Sequence, residues 1–215
     1  MSKQPLDRLH VRSPIFVGLG SAGSCLLDGA ISHGAPVNQS AAVDHTESRE
    51  HYNPSQFEKG IPQYTLPAVV DDNIGKRIEA YSDYLDDGAG LAISLSERIR
   101  GASVVVLFTG LGGMTGTAMC IATAKFCEDH NVPLSAIVTL PFRHEGDKRR
   151  ALALDALQVL VNRAAVIQAI DHTRLLDRLG PGSRLAPYLD EMPRLACEAL
   201  TLSVYPRRVF APEII

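Results

Sequence analysis

Two glycine-rich turns carry the residues of this chain best suited to hold a ligand. "GLGSAG", Gly18 to Gly23, ends a short apolar run and opens a helical pattern, and "GLGGMTGT", Gly110 to Thr117, does the same after "SVVVLFT". Glycine lets a strand turn sharply into a helix and brings backbone N–H groups close to an anion, where the helix dipole also favours negative charge. One such turn is weak evidence, because a bare strand-to-helix connection reads alike. Asp44 follows about 20 residues later, where a dinucleotide fold holds a ribose hydroxyl, so NAD is the first reading of the first turn alone. The second turn adds Thr115 and Thr117 to its glycines, a nest of amide donors with hydroxyls at a helix start. Two such turns at the ends of neighbouring parallel strands point to one crevice that takes a polyphosphate in parts.

The elements that must position these turns are legible as short apolar runs between longer amphipathic stretches. Strands are expected over Pro14–Gly20, Ser40–Asp44, Pro62–Leu66, Ser103–Thr109, Leu134–Leu140 and Ala164–Ile170. Helices are expected over Ala22–His33, Asn73–Arg100, Thr115–His130, Asp147–Asn162 and Ala186–Leu202. Several strands are apolar throughout, as strands buried on both faces are, so the fold class is α/β: a Rossmann-like, three-layer parallel sheet with helices on both faces. Residues 1–13 read as an extension, 14–202 as the domain and 203–215 as a tail.

Composition limits what such a domain does. The chain has 215 residues, a formal charge of -3 and 46% hydrophobic residues, ordinary values for a globular protein of one domain. The longest basic cluster, Lys148–Arg150, gives no nucleic-acid surface, and no apolar run reaches a membrane span of roughly 18 residues. A cytoplasmic protein with neither nucleic-acid nor membrane partners is expected. Cys25, Cys120, Cys127 and Cys197 form no CxxC pair and read as reduced packing thiols. The seven histidines lie in separate segments without ligand-like spacing and read as surface or loop residues, with His45 and His144 nearest the crevice.

Three segments in order resemble the tubulin and FtsZ family. "GGMTGTA", Gly112–Ala118, is similar to its GGGTGTG loop, "AIVTLPFRHEGDKRRALALDAL" to an FtsZ segment of the form VVTKPFxFEGxKRxxxAxxxL, and "IDHTRLLDRLG" to an IPNDKLL-type strand end. The resemblance implies that Gly20, Ser21, Ala22 and Gly23, with Gly112, Gly113, Met114, Thr115, Gly116 and Thr117, hold the phosphates of GTP or GDP. It also gives Glu145 and Arg149 the ribose. By itself "EGDKRR" reads as a solvated helix start, so the resemblance carries those two roles.

Departures from the pattern are specific. Met114 and Ala118 replace loop glycines, and Ser24 and Cys25 stand where the family has an Asn that contacts guanine. A second base-reading Asn falls at or near Pro193, which suits a helix start better than a helix interior. Asp71 and Asp72 stand where the family has a glycine-rich γ-phosphate loop, whose glycines this chain lacks. They would repel a phosphate unless Mg2+ lay between, and read as a helix N-cap. No residue after the helix expected over Ala186–Leu202 matches the family's acidic loop that completes hydrolysis in a neighbour, nor is a second domain expected to follow, so self-activated hydrolysis is not expected and catalytic residues are assigned to none. The resulting expectation is a divergent guanine-nucleotide-binding protein, cytoskeleton-related or regulatory, with self-association or an FtsZ-like or tubulin-like partner. The alternatives are a ligand-free interaction module on the same fold and, more remotely, an NAD-linked oxidoreductase.

Overall fold

The computed structural model describes residues 12–45, 60–66, 69, 71–87 and 91–179. Six strands form one parallel sheet: β1 (Ile15–Leu19), β2 (Ser40–His45), β3 (Gln63–Leu66), β4 (Val105–Gly110), β5 (Leu134–Leu140) and β6 (Val166–Asp171). Their order is β3-β2-β1-β4-β5-β6, so the chain starts at the centre, winds outward one way and returns to wind the other. Between β1 and β4 the winding reverses, and connections leave the sheet in opposite directions there, opening a crevice at the strand ends.

Alternation along each strand builds two cores. Ile15, Val17 and Leu19 face one side, with Tyr81, Leu85, Leu95 and Met119 from the helices α2 (Ile74–Asp87), α3 (Leu91–Arg100) and α4 (Met114–Asp129). Ala153 and Leu160 of α5 (Asp147–Val161) complete that layer. Phe16, Val106, Phe108 and Ile137 face the other side, under Leu26, Leu27 and Ala30 of α1 (Gly20–Ser32) and Leu175 of α6 (His172–Leu179). A side-chain period of two sends neighbouring residues to opposite faces, so an all-apolar strand serves both layers. All residues of β1 and β5 are buried.

Three expected elements are corrected. The single helix expected over Asn73–Arg100 is described as two, α2 ending at Asp87 and α3 starting at Leu91. Gly20 belongs to α1 instead of β1: its φ of +67° turns the chain out of the sheet. "HTRLLDRL", read only as a strand end, forms α6, whose start is fixed by the Asp171 carboxylate accepting from the Thr173 N–H at 2.9 Å. At α2 the cap is Asn73, whose Oδ1 accepts from the Gly75 N–H at 2.8 Å, and Asp71 braces the turn before it. The Asn73 N–H and Lys76, 3.0 Å away, hold the Asp71 carboxyl below its usual range. The helix expected over Ala186–Leu202, Pro193 and the tail lie outside the described residues. No described helix is long and apolar enough to cross a membrane.

Candidate functional site

The two glycine turns meet. A Cβ on Gly20 would lie 3.4 Å from the Gly116 Cα, and one on Gly110 would lie 2.7 Å from the Ala22 Cβ. Across the join, the buried Thr109 hydroxyl donates to the Leu19 carbonyl at 3.2 Å. Only residues without side chains at these points let two strand-to-helix turns approach so closely. Neither Leu19, the N-cap residue of α1, nor Gly113, that of α4, makes a side-chain cap, and neither helix has an acidic residue in its first turn.

Between the turns lies a cavity of about 280 Å³, walled by Gly20, Ser21 and Ala22 from one side and Gly113 to Gly116 from the other. Asp44 and Arg149 close its ends. Met114 lines this space without filling it, and a Cβ placed on Gly113 would meet nothing within 4 Å. The remaining loop residues shape the walls. Gly112, at φ +95°, donates its N–H to the buried Thr117 hydroxyl at 2.9 Å, so that hydroxyl locks the turn. Gly23 is where α1 crosses β4, and a side chain there would overlap the Phe108 carbonyl.

A second cavity, about 330 Å³, shares Ala22, Gly110 and Arg149 with the first. Its far wall is aromatic. The Phe142 ring stacks on His144 with centroids 5.0 Å apart and meets His172, also at 5.0 Å, in a tilted contact. Burial holds the His172 imidazole below its ordinary pKa and Arg149 adds to this, against the pull of Glu145 and Asp171. Glu145 accepts from the Phe142 N–H at 2.9 Å and pairs with Arg149 at 3.0 Å, so one carboxylate fixes both the turn and the guanidinium between the two cavities. Behind the wall, Arg150 donates to the Pro141 carbonyl at 3.0 Å and binds the Asp171 carboxylate at 2.6 Å, tying β5, α5 and β6 together.

The structure therefore gathers Gly20, Ser21, Ala22, Gly113, Met114, Thr115, Gly116, Glu145, Arg149 and Asp44 around one crevice. The Ser21 hydroxyl donates to Asp44 at 3.3 Å. Gly23, Gly112 and Thr117 stand behind the walls. Ser24 is buried in α1 and Cys25 is exposed on it. His45 ends β2, and Pro193 lies outside the described residues. Sequence reading missed Phe142, His172 and the Arg150–Asp171 pair, and treated His172 as a surface or loop residue. It is half-buried in the cavity wall. Its available signal was position: it follows β6 directly, at the carboxyl end of a parallel strand, where ligands of such sheets bind.

Fold and crevice together define a parallel α/β domain with paired glycine turns at its switch point. The model of the tubulin/FtsZ family GTPase domain matches residues 92–180. The cell division protein FtsZ of Helicobacter pylori is 26% identical over 166 residues, and FtsZ 1 of Halobacterium salinarum 30% over 172. These alignments take in 75% and 76% of this chain, which spans about 40% of the length of those relatives. Among solved structures, an empty FtsZ dimer of M. jannaschii superposes with a TM-score of 0.67 at 19% identity, over 88% of this chain and 53% of that one. CetZ2 of Haloferax volcanii, in a GTPγS-bound protofilament, gives 0.65 at 19%, over 93% and 60%. The chain is FtsZ-like over three quarters of its length, and the match to the tubulin/FtsZ GTPase domain falls on residues 92–180.

Proposed function

We propose that this domain binds a guanine nucleotide, GDP or GTP, in the crevice between its glycine turns. The observation that carries the reading is the convergence of two side-chain-uncapped helix starts on a cavity that Met114 leaves open. The residues fit the ligand in two parts. N–H groups at Gly20 to Ala22 and Gly113 to Gly116, with the Ser21 and Thr115 hydroxyls, suit phosphate oxygens. Glu145, Arg149 and the Phe142–His172 wall suit a nucleoside, the carboxylate for hydroxyls and the rings for a planar base. The two cavities together are of the size that ordinary small-molecule sites have, roughly 300–1,000 Å³.

The related CetZ2 carries GTPγS in a protofilament, which supports a nucleotide-linked role in self-association for this chain as well. Isothermal titration of the purified chain with GDP, GTP, ATP and NAD tests the reading, together with the absorbance at 260 nm of freshly purified protein. Heat with the guanine nucleotides is expected. Silence with both, in protein free of co-purified nucleotide, overturns the reading and leaves the fold as an interaction module; heat with NAD alone turns it into a dinucleotide site. Exposed Leu154 and Val161, one face apart by seven residues on α5, favour that interaction module as the second reading.

A further inference from the structure

An oxidisable side chain lines the glycine cavity. Met114, the first residue of α4, is half-buried and borders that space beside Gly113, Thr115 and Gly116. Of the other three methionines, Met119 is 1% exposed in the core, and Met1 and Met192 lie outside the described residues. Met114 also stands among backbone donors. The hydrogen-bond ladder of α4 begins with the Thr117 N–H on the Gly113 carbonyl at 3.2 Å, so the amides of Met114, Thr115 and Gly116 precede it. A thioether is a weak acceptor and leaves such donors to a ligand. Its sulfoxide is polar and accepts strongly.

Resting on the nucleotide reading above, we infer that Met114 is an oxidative modification site that switches the cradle off: a hydroperoxide converts its thioether to the sulfoxide, which competes with phosphate for the donors of its own turn. With hydrogen peroxide the step balances. The sulfur attacks one peroxide oxygen, and an S–O bond forms as the O–O bond breaks. The departing hydroxide takes the proton of the transferred hydroxyl and leaves as water, so sulfur loses the two electrons that the peroxide gains. The methionine side chain has three rotatable bonds, enough for the new oxygen to turn back onto the helix start. There it takes the part that a side-chain acceptor plays at other helix N-termini and that Gly113 does not fill. Loss of one charge-assisted hydrogen bond to this competitor corresponds to a fall in GDP affinity of roughly tenfold or more.

The test treats the full chain with hydrogen peroxide, reduces the thiols again with dithiothreitol, and follows each methionine by peptide mass. A gain of one oxygen is expected at Met114 while Met119 stays unchanged. Calorimetry should then show GDP binding weakened by about tenfold or more and restored by methionine sulfoxide reductase. Met114→Leu, whatever its own affinity before treatment, should keep that affinity through peroxide. Should this variant fail to fold, the wild-type chain supplies a second measurement: saturating GDP should slow the oxidation of Met114. Oxidation at Met114 that leaves GDP affinity unchanged, an equal loss in Met114→Leu, an oxidation rate indifferent to GDP, or a Met114 that resists peroxide in the folded chain each overturns the inference while leaving nucleotide binding intact. Absence of GDP binding by the untreated, nucleotide-free protein instead removes the reading on which it rests.

Discussion

Gly113 offers a way to separate the ligand site from the fold. Its backbone, φ -87° and ψ 149°, is extended and suits a β-branched residue, and a Cβ there touches nothing within 4 Å. Valine at this position consequently intrudes on the cavity instead of on the protein. Folding stability should stay within about 0.5 kcal/mol of wild type, the usual range for a substitution with no packing partner. Phosphate, by contrast, loses its approach to at least one N–H donor, a charge-assisted bond worth about 1.5–3 kcal/mol, so GDP affinity should fall by roughly 10- to 150-fold. Calorimetry reports the second quantity and a thermal melt the first. Gly112→Ala is the contrasting variant. At φ +95° its methyl would lie 2.7 Å from the Arg149 carbonyl, and it should cost about 1–3 kcal/mol of stability, or ~2–4 °C in melting temperature for each kcal/mol. A Gly113→Val protein that binds GDP as wild type does would refute the assignment of this turn as the cradle. One that melts far below wild type would show the space beside Gly113 to be occupied by protein.

Two further outcomes concern stability and thiol chemistry. Asp171→Asn keeps an acceptor for the Thr173 N–H but leaves Arg150 without its charge partner, and because Arg150 is 24% exposed the cost should be about 1–2 kcal/mol in urea unfolding at pH 7. Although burial opposes it, the Arg150 contact holds the Asp171 carboxyl below its ordinary value, so the wild-type advantage is complete above about pH 4 and closes as the pH falls through the folded-state pKa; an advantage equally large at about pH 3 would contradict the pairing. Burial pushes the Cys127 thiol up to about 12 and Cys120 higher still, so in a Cys197→Ser background at pH 8 a thiol reagent should label Cys25 alone, slowly because its surroundings and Asp28 raise its pKa, and reach the other two only in denaturant. Labelling of all three at equal rates in native buffer would place Cys120 and Cys127 outside the core.

What the sequence disclosed follows the range of the forces involved. β-branched runs such as "VVVLF" declare buried strands, and glycine declares where a chain must turn or pass close to another, so the sheet and both turns could be read directly. Gly20 and Gly116 were legible as turn residues, but their contact with each other depends on pairing β1 with β4, which no local pattern encodes. The same limit hid the Phe142–His172 contact, whose partners lie on separate strand ends, and the Arg150–Asp171 bridge, which spans 21 residues. Glu145 and Arg149 had to be taken from family resemblance because a first-turn acid and a basic residue four positions on look alike whether they face solvent or a ligand.

The Thr109 hydroxyl and the Leu19 carbonyl that it binds are separated by 90 positions along the chain. During synthesis the first turn leaves the ribosome long before its counterpart is made, and it must wait, half built, for the middle of the sheet to close around it. Closure of so distant a pairing is a slow step in folding. Any ligand seated in the join acts afterwards as a pin between early and late portions of the polypeptide, so it should retard unfolding of the native protein more than it speeds folding.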